Sequence, residues 1–205
     1  LIKEGGVTTQ TIDVTSATVT VSGNTVTINP SDFTYSASVN IEMPFFESFF
    51  RLKIHNDGKL VGKWFKAGSL KLLEFPVEFV YGNKERFTVS KAATENSTGR
   101  WQVSFTRPNG TDRPAIAEFQ QKGSALTGTF LTPSGDYRFL EGVVDGDSLL
   151  LSCFDGSHAY LFTATISGNE IKNGMYYSSA SPVEPWRAVK NENDKHTRAP
   201  PADCP

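Results

Sequence analysis

Asp155, Ser157 and His158 supply the three residue types of a hydrolase triad: a carboxylate, a hydroxyl nucleophile and an imidazole base. They lie within four residues at an Asp-Gly turn, whereas triad members converge from separate elements, with the carboxylate orienting the far nitrogen of the base. The pattern therefore reads as a turn whose Asp155 carboxylate satisfies local backbone donors, with His158 at the start of the next strand. Asp136, Arg138 and Glu141 form a second polar group on one strand. Strict alternation puts Arg138 on the face of Leu140, opposite Tyr137 and Phe139. From there its guanidinium would cross a barrel interior and pair with a carboxylate. Such a pair serves as a structural register device or as a ligand clamp. If Arg138, Glu141 and His158 converge at one barrel mouth beside Trp101, the site would take an anionic or carbonyl-bearing group; if Arg138 is buried against Glu141, the pair is structural, and the pattern leans to the latter.

The two cysteines, Cys153 and Cys204, are too few for a disulfide framework, though a single bridge between them stays open. No CxxC, CxxH or histidine-rich stretch suggests zinc, and no cofactor is expected. A lone Cys153 between Leu151 and Phe154 does not support disulfide exchange, which needs a resolving thiol and an accessible thiolate. With 20 basic and 22 acidic residues the formal net charge is −2, so no overall field draws the chain to nucleic acid or anionic lipid. No apolar run approaches the ~20 residues of a membrane span. The 205 residues suffice for a full core, and 15 Phe, 6 Tyr and 3 Trp suit a β protein.

The elements that must position these groups are strands. Asn109-Gly110, Lys122-Gly123, Ser134-Gly135, Asp145-Gly146, Asp155-Gly156 and Ser167-Gly168 mark turns at nearly even intervals, each interval leaving room for one strand. Seven strands follow, beginning at Gly99 and then at 115–121, 126–132, 136–143, 149–154, 158–166 and 171–177. The fold class expected is all-β: an antiparallel meander closing into an up-and-down barrel, with a two-sheet sandwich as the alternative. Upstream, Val19, Val21, Val26 and Ile28 alternate with hydroxyl residues around Gly23-Asn24, an N-terminal hairpin. Residues 30–44 read as a connection with a short strand near Val39 and Ile41. Phe45, Phe46, Phe49 and Phe50 read as core residues of a strand rather than of a short helix. Pro76 marks the segment from Leu70 to Tyr81 as an edge or bulge. The expected organisation is a hairpin and connection over 1–42, a barrel over 43–188 and a polar, proline-containing tail over 189–205, with Trp186 as the last anchor.

Five segments (Gly99–Phe105, Gly123–Thr132, Gly135–Gly142, Leu151–Ala159 and Pro185–Ala188) resemble the N-terminal β domain of TlpA-like (redoxin) thiol-disulfide oxidoreductases. The specific strings are Gly135-Asp136-Tyr137-Arg138 and Cys153-Phe154-Asp155-Gly156-Ser157-His158. The resemblance spans residues 43 to 195 and implies a periplasmic or cell-envelope protein, with a lipid anchor before processing as an option open to the family. It also implies a thioredoxin-like module as partner, covalently linked or separate, because the Trp-Cys-x-x-Cys of the family is not in this sequence. The function expected is thus a non-catalytic accessory domain, with candidate binding residues Trp101, Arg138, Glu141, Asp155 and His158. Gly62-Lys63-Trp64 and Gly99-Arg100-Trp101 are also similar to the Gly-x-Trp of lipocalins, in which Trp packs against Arg to close one barrel end. A second reading, a lipocalin-like barrel holding a small apolar ligand, rests on the 15 Phe, 6 Tyr and 3 Trp and on the expected closed barrel; an enzyme of unknown reaction comes third. Asn96-Ser97-Thr98 and Asn109-Gly110-Thr111 fit the glycosylation pattern, a short pattern that arises by chance.

Overall fold

The computed structural model describes residues 10–14, 19–22, 25–28, 35–55, 57–68, 70–179 and 181–193. Its contacts divide the chain into two compact units, Leu1–Asn83 and Lys84–Pro205. The division falls at Asn83 rather than at residue 42, because the strands from Ser48 to Phe79 pair with the N-terminal segment and not with the barrel.

In the first unit, β1 (Gln10–Val14), β4 (Tyr35–Met43), β5 (Ser48–Ile54), β6 (Leu60–Ala67) and β7 (Leu72–Phe79) form an antiparallel sheet in the order β1-β4-β5-β6-β7. The hairpin β2 (Val19–Ser22) to β3 (Thr25–Ile28) stands apart, paired Ser22 to Thr25; the turn residues Gly23 and Asn24 lie outside the described residues. The expected short strand near Val39 is the nine-residue β4. Pro76 sits in β7, the edge strand, where its missing N–H costs no ladder bond on the outer side. One face gathers Phe50, Leu52 and Trp64, with Phe75 packed against Trp64 at 5.0 Å between ring centres. Phe49 stacks on Phe65 on the other face, under the Arg51 guanidinium. Phe45 and Phe46 are not core: they sit exposed on a single 3-10 turn, Pro44–Phe46, started by the fixed φ of Pro44.

The second unit is a closed, eight-stranded up-and-down barrel, as the sequence led us to expect. Its strands are β8 (Gly99–Thr106), β9 (Asp112–Lys122), β10 (Ala125–Thr132), β11 (Gly135–Asp145), β12 (Ser148–Phe154), β13 (Ala159–Ser167), β14 (Glu170–Ser178) and β15 (Glu184–Lys190). The glycines of the six turns from Asn109-Gly110 to Ser167-Gly168 all have positive φ, the conformation that an L side chain resists. The eighth strand is the segment that composition assigned in part to a tail. Pro185 near its start removes no essential ladder bond, Trp186 and Ala188 point inward, and its pairing with β8 closes the barrel. Residues 194–205, with Cys204, lie outside the described residues.

Side chains fill the barrel. Trp101, Phe105, Phe130 and Phe162 are fully buried. Phe130 stacks on Phe162 at 4.5 Å, and Phe162 on Tyr176 at 4.8 Å. Burying each such side chain contributes about 1.5–3 kcal/mol, and the aromatic column packs with Leu126, Leu140, Leu149, Leu151, Ile166 and Ile171 in one core. Gly142 and Gly174 admit close neighbours: a Cβ on Gly142 would land on the Leu150 carbonyl, and one on Gly174 would land on the Trp186 carbonyl and ring. Ladder irregularities at 138–139 and 172–174, where Phe139 and Asn173 take φ of 57° and 53°, bend the wall.

Candidate functional site

The two ends of the barrel differ. At one end the segment 90–98 is laced across the strand turns. Asp145 accepts from the Ser90 and Lys91 amides, and the Gly146 carbonyl from the Thr94 amide. Gln121 takes the Ser97 amide and hydroxyl and donates to the Glu95 carbonyl. Trp101 closes this end from inside, donating its indole N–H to the Ser97 carbonyl at 2.8 Å, with the Lys190 ammonium 5.6 Å from the ring centre. Trp101 is thus a structural plug with no exposed surface.

The opposite end carries a polar aromatic network. Arg113, its side chain 15% exposed, meets Glu184, 18% exposed, at 2.7 Å and lies 4.5 Å over the Phe105 ring. Burial opposes the Arg113 charge, but the bonds to Glu184 and Tyr137 outweigh it and hold its pKa above the usual arginine value. Tyr137, Tyr160 and Tyr176 cluster within 6.1 Å of one another. Burial pushes the Tyr160 hydroxyl up to about 12, and Tyr176 higher still. His158 stacks flat on Tyr160 at 5.3 Å. Asp155 accepts from the Ser157 and His158 amides and contacts His158 Nδ1 at 3.2 Å, the local turn that the spacing implied. Burial works to raise the Asp155 pKa, but these bonds win and hold it below the ordinary carboxylate value. Arg113 did not stand out in the sequence, since a lone Arg near a proline carries no motif.

The five candidate residues do not converge. Trp101 belongs to the plugged end, and Asp155 and His158 to the other. Arg138 does not cross the interior: its side chain is 71% exposed and only reaches Asp136, at 3.6 Å. The cause is the bulge at 138–139, which sets two residues opposite Thr129, so that Tyr137 and Leu140 turn inward while Arg138 and Phe139 turn out. The expected buried Arg138–Glu141 pair is therefore absent, and Glu141 instead meets Arg86 at 3.5 Å on the surface.

Glu141 does line a trough of about 780 Å³ on the outer wall. Thr127 and Thr129 of β10 form its floor. Gln120 and Glu118 of β9 face them on one side in register, and Glu141 and Phe139 of β11 flank the other. Arg100 lies beyond Glu118 at 3.4 Å, and Glu192 closes one end. The volume falls within the ~300–1,000 Å³ range of ligand sites. Comparison with family models, with curated proteins and with solved structures finds no match for this chain. The described residues contain no group of three or more His, Cys, Asp or Glu placed to hold a metal, and no helix among them is long and apolar enough to cross a membrane. Cys153 carries a free, half-buried thiol, whose pKa is raised first by burial and then by Asp155, so it stays protonated near neutrality. Asn96 and Asn109 use their amide oxygens to accept from the Thr98 and Thr111 amides, which accounts for both Asn-x-Thr patterns as turn formers.

Proposed function

We propose that this chain is a non-catalytic, extracytoplasmic binding domain that docks a protein partner. The observation that carries the reading is an apolar area on the outer wall near the unplugged end. Phe154 is 45% exposed, Tyr177 39% and Met175 37%, and Leu161 lies between, paired with Tyr177 across β13 and β14. Aromatic and methionine side chains grouped on an exterior wall are the usual composition of a protein-docking surface. The resemblance of the 135–138 and 153–158 strings to TlpA-like oxidoreductases names the expected partner, a thioredoxin-fold module that performs the redox step. The protonated thiol of Cys153 fits a domain that takes no part in that step.

A small apolar ligand inside the barrel is the weaker reading, because it would have to displace the packed column of Phe105, Phe130, Phe162 and Tyr176. Surface plasmon resonance with the chain immobilised and a TlpA-type thioredoxin-fold module in solution tests the docking. Binding should weaken about tenfold or more in Tyr177→Ser and Phe154→Ser, as expected for central apolar contacts. Equal binding by wild type and both variants would refute the docking surface.

A further inference from the structure

We infer that the outer-wall trough along β10 is a binding site for a neutral saccharide chain, separate from the docking surface. Three properties of the trough select that chemistry. The first is Phe139. Its ring is 82% exposed at the lip, and its backbone is held at φ 57°, a conformation that non-glycine residues adopt at a cost. A fold that spends strain to turn a phenylalanine outward gives it a flat apolar face to present, and the axial C–H groups of a pyranose ring match such a face.

The second is the mixture of hydrogen-bonding groups below and opposite that ring. The Thr127 hydroxyl on the floor both donates and accepts, the Thr129 hydroxyl, whose proton goes to the Tyr137 carbonyl, accepts, the Gln120 amide does both, Glu118 and Glu141 accept, and Arg100 donates. Vicinal hydroxyls of a sugar need donors and acceptors close together, and the register across β9, β10 and β11 supplies them in rows: Gln120, Thr127 and Glu141 in one, Glu118 and Thr129 in the next. The third is charge. Glu118 pairs with Arg100, Glu141 with Arg86 and Glu192 with Lys190, so a uronic acid or sulfated sugar would have to displace a carboxylate to gain a counter-ion, whereas a neutral sugar need not. The trough runs over the outside of a closed wall that offers no free strand edge. An extended peptide therefore cannot add to the sheet there through its backbone. A polyol needs no such edge.

The test uses the full chain with cellohexaose, maltohexaose, xylohexaose and chitohexaose as probes, followed by amide HSQC titration. The expected result is saturable shifts from at least one probe, centred on Gln120, Thr127, Gly128, Thr129, Phe139 and Glu141, and none from polygalacturonate or heparin. Phe139→Asn keeps a residue that tolerates left-handed backbone but removes the ring, and it should weaken binding about tenfold. Phe139→Trp should restore it. Absence of shifts with all four probes overturns the inference, as do shifts located elsewhere or binding of octalysine in place of the sugars. Loss of thioredoxin-module binding in Phe139→Asn also overturns it, because the ring would then belong to the docking surface.

Discussion

Removing the Arg113 guanidinium should destabilise the barrel by about 3 kcal/mol. An exposed ion pair contributes roughly 0–1 kcal/mol, whereas breaking a fully buried one costs about 3–5 kcal/mol because a charge is left without a partner. Arg113 and Glu184 lie at 2.7 Å with 15% and 18% of their side chains exposed, nearer the buried limit but not at it. That places the ionic part at about 2 kcal/mol. The guanidinium 4.5 Å above Phe105 adds a contact worth about 1 kcal/mol. For a unit of this size the loss corresponds to a fall in Tm of roughly 10 °C. The assay is thermal unfolding of Arg113→Ala, Glu184→Gln and the double variant Arg113→Met/Glu184→Leu. The double variant should lose less than Arg113→Ala alone, because no unpaired charge remains. A shift in Arg113→Ala below about 3 °C would mean that solvent already screens the pair, and the account of the polar end would fail.

Other perturbations follow from the same geometry. Arg138→Ala should leave stability within about 0.5 kcal/mol in chemical denaturation, since the side chain is 71% exposed and meets only Asp136. Gly142→Ala should cost about 3 kcal/mol or prevent folding, because the new Cβ would land on the Leu150 carbonyl and push β11 from β12; unchanged expression and melting would contradict the register. The Asp155 carboxyl is held below its ordinary value of 3.8, so its turn contributes stability above that pH and loses it as pH falls through the depressed value. A carboxyl titration by NMR should show this midpoint below 3.8, with the His158 amide shift following it, and Asp155→Asn should abolish the transition.

The barrel was legible because its turns are chemically explicit. At the named turns a glycine occupies the position where positive φ is needed, and apolar alternation fills the intervals between them. Pro76 likewise announced an edge strand. What was not legible came from devices without such a mark. The bulge at 138–139 is built on Arg and Phe rather than on Gly or Asn, so strict alternation assigned Arg138 and Tyr137 to the wrong faces. The closing strand β15 holds two inward residues, Trp186 and Ala188, among charged ones beside two prolines. Composition weighs it as linker, and only its pairing with β8 reveals a strand. The trough could not be read at all, since its residues come from four strands and meet only through register.

The central claim is that the chain binds a redox partner without doing redox chemistry, and an insulin disulfide-reduction assay tests it most directly. The chain alone should reduce insulin no faster than dithiothreitol background. Added to a TlpA-type thioredoxin-fold module, it should lower the module's KM and leave kcat unchanged, as expected of a domain that contributes binding only. Turnover by the isolated chain that disappears in Cys153→Ser would contradict the account.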